Sequence, residues 1–384
     1  MLLSLSHARL ARRFAVSRLR SAQYSQTVAP SAIANGSNPK VHCYISKCND
    51  PYTNLAFEDW ILRKSDPESF VLYLWRNRPT IVIGRNQNPW KECNLKMMAS
   101  RDVLLARRTS GGGSVYHDMG NSNYTVVMPR EAFTRDKCAE MVSRALHHAD
   151  IPAYVNERHD VTVEGRKISG SAFKLTNKRA FHHGTMLIDT DLGRLHGCLH
   201  SEAKDDIEAL GVESVRSVVT NLREYSLSID HLTFCQAVMS EFGRTFGKLD
   251  VGRNVTVWDE SDADVVGMVE EERKRISTWK WLYGQTPRFV HRFGGVVGGK
   301  PVVAKVSVYH GHITEVSLEY DAGQEDADDY GVFQMISDSL VDVPYVAADI
   351  RGCLGPISRE SPAAAELCRW ILEKIMEVAS GDSA

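Results

Sequence analysis

Arg107-Arg108-Thr109-Ser110-Gly111-Gly112-Gly113-Ser114-Val115-Tyr116-His117-Asp118 is the stretch around which the chain is organised. Three consecutive glycines carry no side chains, so a ligand can lie directly against their backbone N–H groups. Two arginines precede them, and the polar Gly120-Asn121-Ser122-Asn123 follows. Such a connection suits a ligand with one anionic end and one long apolar end. A glycine triplet by itself also fits a surface turn. The alternating Asn123-Tyr124-Thr125-Val126-Val127-Met128 beyond it reads as a strand. The loop therefore hangs between two strands, which favours a binding loop.

The 384 residues, 43% of them apolar, suffice for two domains with separate cores. No stretch approaches the roughly 18 uninterrupted apolar residues of a membrane helix, so a soluble protein without a membrane partner is expected. No Asp or Glu occurs before Asp50, whereas Arg9, Arg12, Arg13, Arg18 and Arg20 are interleaved with Leu, Phe, Val, Ser and Ala. That basic, acid-free composition is the mark of a mitochondrial presequence; a basic tail with no address is the alternative. The reading assigns residues 1–30 to the presequence and the mature protein to the mitochondrial matrix. Removing those five arginines takes the formal charge from −2 to −7. A mildly acidic protein is a poor candidate for nonspecific nucleic-acid binding. Eight cysteines are scattered with no Cys-x-x-Cys pair, which suits free thiols in a reducing compartment. His196-x-Cys198-x-His200 lacks a second ligand cluster at zinc-like spacing and reads as structural.

Along the chain, Val41-His42-Cys43-Tyr44-Ile45-Ser46 reads as a first strand, and Asp50-Pro51-Tyr52 as a turn. A helix is expected over 54–62, with Asn54 as its cap and Glu58 and Asp59 in its first turns. Strands over 70–75 and 80–84 are joined by Arg76-Asn77-Arg78-Pro79, and a helix covers about 135–149. Asp160-Val161-Thr162-Val163-Glu164-Gly165-Arg166-Lys167-Ile168-Ser169-Gly170-Ser171-Ala172 looks like a hairpin turning at Glu164-Gly165. Lys167 then stands at the start of the returning strand, beside small residues. A lone strand lysine is normally solvated, but one facing a glycine-rich loop is placed to hold a phosphate or carbonyl oxygen. A strand over 181–188 carries His182 and His183 at its entry. Past Lys248 the composition changes, with an aromatic-rich turn over 278–287, strands over 302–310 and 313–320, and helices over 332–340 and 361–379. The run Glu325-Asp326-Ala327-Asp328-Asp329 reads as a solvated loop rather than a metal site. The expected division is 31–248 for a catalytic domain and 249–384 for a small accessory domain.

These blocks together resemble the lipoate–protein ligase and lipoyltransferase family, and the presequence points to its mitochondrial lipoyltransferases. The residues that carry the resemblance are Asn54-Leu55-Ala56-x-Glu58, Leu74-Trp75-Arg76-Asn77, Val82-Ile83-Gly84-Arg85-Asn86-Gln87-Asn88-Pro89, the glycine stretch, Lys167 to Ala172, Phe181-His182-His183-Gly184-Thr185 and Trp281-x-Tyr283-Gly284-Gln285-Thr286-Pro287. The resemblance implies an α+β fold: a biotinyl/lipoyl protein ligase domain, class II synthetase-like, on mixed sheets, then a small α+β C-terminal domain. It implies that the loop from Ser110 through Gly111, Gly112 and Gly113 to Val115 lines an apolar tunnel for a lipoyl chain, with Tyr116 among the residues that bind lipoyl-AMP. Arg108 and Asn121 would lie at the ligand, and Asp160 near the nucleotide. The segment with Ser169, Ala172, His183 and Thr185 would wrap an adenylate. Lys167 would be the catalytic cation at the acyl–phosphate junction, and no residue is assigned to a metal. The family usually has Gly-Arg-Asn-Asp where this chain has Glu157-Arg158-His159-Asp160, which weakens the case for ATP activation.

Three functions follow from the resemblance. The preferred one is a lipoyltransferase taking lipoyl from lipoyl-AMP or a lipoylated carrier such as the glycine cleavage H protein. It would deliver the group to lipoyl domains on E2 subunits of 2-oxoacid dehydrogenases, acting as a monomer. The second is a ligase that uses ATP and Mg2+ to make its own adenylate. The third is an inactive module that only binds lipoyl domains; retention of Lys167 and the glycine loop argues against it. Cys198 is given no covalent role.

Overall fold

The computed structural model describes residues 41–320 and 327–379. Residues 1–30, read above as a presequence, and Glu325 and Asp326 of the acidic run, lie outside them. The chain opens with β1 (Val41–Ser46), α1 (Pro51–Lys64), β2 (Phe70–Trp75), β3 (Thr80–Ile83), β4 (Leu104–Arg107), β5 (Val115–His117) and β6 (Asn121–Pro129). There follow α2 (Arg135–His147), β7 (Tyr154–Val155), β8 (Val161–Val163), β9 (Arg166–Ser169), β10 (Ser171–Leu175) and β11 (Arg179–Leu187). Then come β12 (Ile207–Ala209), α3 (His231–Phe246), β13 (Val255–Trp258) and α4 (Ala263–Ser277). The last elements are β14 (Phe289–Val297), β15 (Lys300–Tyr309), β16 (His312–Tyr320), α5 (Ala327–Leu340), α6 (Ala347–Ile357) and α7 (Pro362–Val378). The fold is α+β with mixed sheets, as expected. Ala327 to Asp329 of the acidic run open a helix rather than continue a loop.

Period-two alternation builds the central sheet, ordered β10-β11-β6-β2-β1-β13. Successive strand side chains point to opposite faces. Cys43, Ile45, Leu72, Leu74, Val126 and Met128 thus face one way and pack under α2 and α3. Tyr44, Tyr73, Trp75, Val127 and Phe181 face the other way and pack with Phe57 and Ile61 of α1. On that second face β6 and β11 also carry Asn121, Asn123, Thr125, His183 and Thr185, all buried. Polar residues on half of an otherwise apolar sheet face mark where the core gives way to a site.

A three-stranded sheet, β4-β3-β5, carries the glycine loop between β4 and β5. β2 and β3 share the turn at Arg76 to Pro79 but belong to different sheets. The β7-β8-β9 sheet contains the expected hairpin, with Glu164 at φ 50° and Gly165 at φ 76°. Two positive φ values at a two-residue loop are a type I′ turn, whose twist matches that of the strands.

Two expectations are corrected. α1 is capped by Asp50, whose side chain accepts from the Thr53 amide, with Pro51 at the first helical position and no acid in the first turn. Asn54 lies inside the helix, buried. Its Nδ2 donates to Cys48 and Arg76 carbonyls, and its Oδ1 accepts from Ser46 and Tyr73 hydroxyls. Second, the large sheet runs past residue 248. β13 pairs parallel with β1, Cys43 opposite Val255, and Trp258 packs 4.8 Å from the Phe57 ring. Burying Val255 and Trp258 in the first core draws residues 255–258 back into the sheet, so the compositional change marks a loop. Conversely, β12 leaves the first part of the chain to form the edge of the C-terminal sheet β12-β14-β15-β16.

Candidate active site

The polar half of the sheet face and the glycine loop enclose a cavity of about 350 Å3. Leu55, Trp75, Val82 and Val115 supply apolar wall, while Asp160, Lys167 and Thr185 supply polar groups. A second cavity of about 880 Å3, lined by Met97, Tyr116, Leu187, Leu195, Leu199 and Val218 among others, meets the first at Lys167, Gly170 and Ser214. Lys167 thus stands where a narrow slot of mixed lining meets a wider, more apolar chamber.

Lys167 Nζ lies 2.9 Å from Asp160 Oδ1, and both side chains are largely buried. The hairpin brings them together: Asp160 enters β8 and Lys167 returns on β9. Gly170 makes room, since a Cβ there would sit 3.1 Å from Lys167 Cε. The Lys167 backbone is clasped by a strap over 210–220: its N–H donates to Val218 O, and its carbonyl accepts from Thr220 N. Val212 to Val215 of that strap line the first cavity. Ser214 anchors it, donating its amide to Glu92 while its Oγ accepts from the Ser114 amide and Gln87 Nε2. Nothing in the sequence pattern marks this strap.

The two arginines act differently from expectation. They are consecutive at the end of β4, so their side chains leave on opposite faces. Arg107, buried, donates to Gln87 O, Arg85 O, Leu282 O and Thr286 Oγ1. It ties the strand end to the turn after α4, and burial lowers its pKa to about 9. Arg108 lines the cavity, and its donors reach Val82 O, Gly111 O, Gly113 O and Ser110 Oγ. It clamps the glycine loop through neutral oxygens and keeps its positive charge at the cavity wall. The lining cations are thus Arg108, the exposed Arg158, and Lys167, which is ion-paired with Asp160.

Ser110 and Gly111 do not line the cavity. Ser110 Oγ lies 2.9 Å from His183 Nε2, and His183 Nδ1 lies 2.8 Å from Glu58 Oε1, which also accepts from Thr125. This buried line ties the glycine loop through β11 to α1; Glu58 was legible only as part of a motif. Gly112, at φ 89°, needs to be glycine, as a Cβ would also meet Arg108 Nη2 at 3.0 Å. A Cβ on Gly111 would point into open space.

Of the expected site residues, Arg108, Gly112, Gly113, Val115, Asp160, Lys167, Ala172, His183 and Thr185 line the first cavity. Tyr116 lines the second. Asn121 lies behind the wall, accepting from the Met186 amide and donating to Asn123. Ser169 is buried, 3.4 Å from the Tyr124 hydroxyl. His159, at φ 60°, turns away to Asp136, 2.6 Å distant. Trp75, His117 and Asn123 line the cavity without having been singled out. Cys198 is buried, and burial raises its thiol pKa.

The model of the lipoyl protein ligase A/B catalytic domain matches residues 50–243. The lipoate–protein ligase A of Psychrobacter cryohalolentis is 34% identical over 339 residues, covering 87% of this chain and 98% of the relative. That of Bdellovibrio bacteriovorus is 41% identical over 258 residues, covering 66% and 75%. The crystal structure of P. falciparum LipL1 in complex with lipoate superposes with a TM-score of 0.55 at 25% identity, covering 87% of this chain and 99% of that one. The arrangement of slot, lysine and clamped glycine loop thus sits within a shared sequence framework, and the chain belongs to the lipoate–protein ligase family.

Proposed function

We propose that the chain moves a lipoyl group from an activated donor to the ε-amine of a lysine on a carrier domain. The observation that carries this reading is Lys167 at the meeting of the two cavities, ion-paired with Asp160. The slot takes the acyl chain, and the wider chamber takes the rest of the donor. When an amine attacks the acyl carbonyl of lipoyl-AMP, charge builds on the carbonyl oxygen and on the departing phosphate. A fixed ammonium beside both oxygens lowers that barrier, and burial strengthens its effect over that in water. Lys167 also aligns the donor, since positioning the reacting groups removes entropy from the barrier. No protein nucleophile enters the scheme.

The proposed donors are lipoyl-AMP and a lipoylated carrier such as the glycine cleavage H protein. The proposed acceptors are lipoyl domains of 2-oxoacid dehydrogenase E2 subunits, and the proposed location is the mitochondrial matrix. A second reading, an ATP-dependent ligase, is favoured by the names of the two relatives. Against it, His159 is engaged with Asp136 outside the cavity. The lining carboxylates Asp160 and Glu213 are paired with Lys167 and with Lys91 and Lys204.

The test offers an apo lipoyl domain three donors and reads the mass of the domain. Modification from lipoyl-AMP or a lipoylated carrier, but not from lipoate with ATP and Mg2+, is expected for a transferase. Modification from lipoate with ATP would instead establish a ligase.

A further inference from the structure

β10 ends the large sheet, and only one of its two edges is paired. The Thr185 amide donates to Gly170 O at 3.0 Å, and the Thr176 amide donates to Arg179 O at 2.8 Å. These bonds bracket the β10–β11 ladder, in which Ser171 stands opposite Gly184 and Leu175 opposite Ala180. Bonded and non-bonded pairs alternate along an antiparallel ladder. Ala172 and Lys174 therefore bond to β11, while Ser171, Phe173 and Leu175 turn their N–H and C=O groups outward. Among the described residues, none of these outward groups has a partner. Ser171 and Leu175 are also exposed.

A row of free main-chain groups is a template for another strand, and edges are commonly blunted by charge, proline or a bulge. β10 shows no bulge and no proline. Its one charged side chain, Lys174, is held 3.1 Å from Asp59 on α1. The open edge also leads to the reacting centre, since Gly170, Ser171 and Ala172 line the cavity that holds Lys167. Its surroundings are basic. Arg158 lines the same cavity, the Arg135 guanidinium lies 5.0 Å over the Phe173 ring, and Lys178 follows in the turn to β11; all three are exposed. The neighbouring acid Asp136 is turned to His159.

We infer that β10 is the docking edge for the acyl acceptor. An extended, acidic segment of the carrier domain adds to Ser171–Leu175 as a further strand and so brings its lysine to the cavity of Lys167. Main-chain bonds give such strand addition its affinity, and Arg158, Arg135 and Lys178 favour an acidic partner. The inference deepens the acyl-transfer reading, naming how its acceptor is held, and rests on it.

The test compares wild type, Leu175→Pro and Leu175→Ala in transfer from lipoyl-AMP to an apo lipoyl domain and to hydroxylamine, a small amine that needs no docking. Proline removes one outward N–H and leaves the ladder to β11 in place, as edge strands tolerate; alanine keeps that N–H. Thermal unfolding confirms that each variant is folded. Leu175→Pro is expected to raise KM for the domain by roughly ten-fold, with transfer to hydroxylamine within about two-fold of wild type, and Leu175→Ala to leave both within about two-fold. Hydrogen exchange of the wild-type protein needs no variant: the Phe173 and Leu175 amides should slow by roughly ten-fold or more when the domain is added. An unchanged KM in folded Leu175→Pro, or unprotected amides at saturating domain, would overturn the docking edge and leave the acyl-transfer reading standing. A wild-type dimer in sedimentation that Leu175→Pro dissociates would give the edge to a second copy of the chain and overturn it as well. Wild-type protein that modifies neither the domain nor hydroxylamine would overturn the acyl-transfer reading itself.

Discussion

Ser110 Oγ and His183 Nε2 lie 2.9 Å apart in the interior, with Glu58 on the other side of the imidazole. The glycine loop is thereby fastened to a strand 73 residues away in sequence. His183→Phe keeps the ring but leaves the Glu58 carboxylate with Thr125 alone. Breaking a buried charged hydrogen bond is expected to cost roughly 2–4 kcal/mol, read as a lower denaturant midpoint. Donor affinity should fall with it, as the loop loosens.

The three glycines are not equivalent. Gly112→Ala places a side chain at φ 89° and against Arg108, whereas Gly111→Ala meets nothing. Forcing a residue with a Cβ into a left-handed conformation is expected to cost about 1–2 kcal/mol. Gly112→Ala should weaken lipoate binding by roughly ten-fold or more, while Gly111→Ala stays within about two-fold of wild type. Equal effects from both would contradict the clamp by Arg108.

Gly170→Ala tests the path of the lysine. A Cβ there would lie 3.1 Å from Lys167 Cε and 3.2 Å from its Nζ, so the side chain must shift. A displacement of a few tenths of an ångström is expected to lower the transfer rate by up to roughly ten-fold, with donor binding largely kept. Single-turnover rates and titrations on one preparation separate the two.

His182 gives a pH prediction. Both ring nitrogens are buried without partners, and burial, with His183 and His159 adding, lowers the pKa from 6.5 to about 3. The depressed value means that the unfolded chain binds the proton first, so stability is held above pH 6.5 and lost as pH falls toward 3. At pH 5 this single group is expected to remove about 2 kcal/mol. His182→Phe should therefore show a shallower loss of thermal stability between pH 7 and pH 5 than wild type. An unchanged slope would assign the acid sensitivity elsewhere.

The parts legible in the sequence were those governed by local rules. The alternation in β6 reported a strand, and Glu164-Gly165 reported the turn that returns Lys167 toward Asp160. What escaped was set by distant partners. Arg108 reads only as a cation at the ligand until Val82 O and the carbonyls of its own loop are seen to make it a clamp as well. Asn54 reads as a cap because Asn is a favoured cap residue, yet Asp50-Pro51 held the cap and Asn54 became a buried connector. β13 is separated from β1 by more than 200 residues, and no periodicity reports which sheet a four-residue strand joins.

The most direct measurement is single-turnover transfer from preformed lipoyl-AMP to an apo lipoyl domain by wild type and Lys167→Gln, with adenylate binding titrated in parallel. If Lys167 stabilises the charge that develops at the acyl–phosphate junction, the variant should transfer roughly 10²–10³-fold more slowly, while binding weakens far less. Transfer within about three-fold of wild type would contradict the account at its centre.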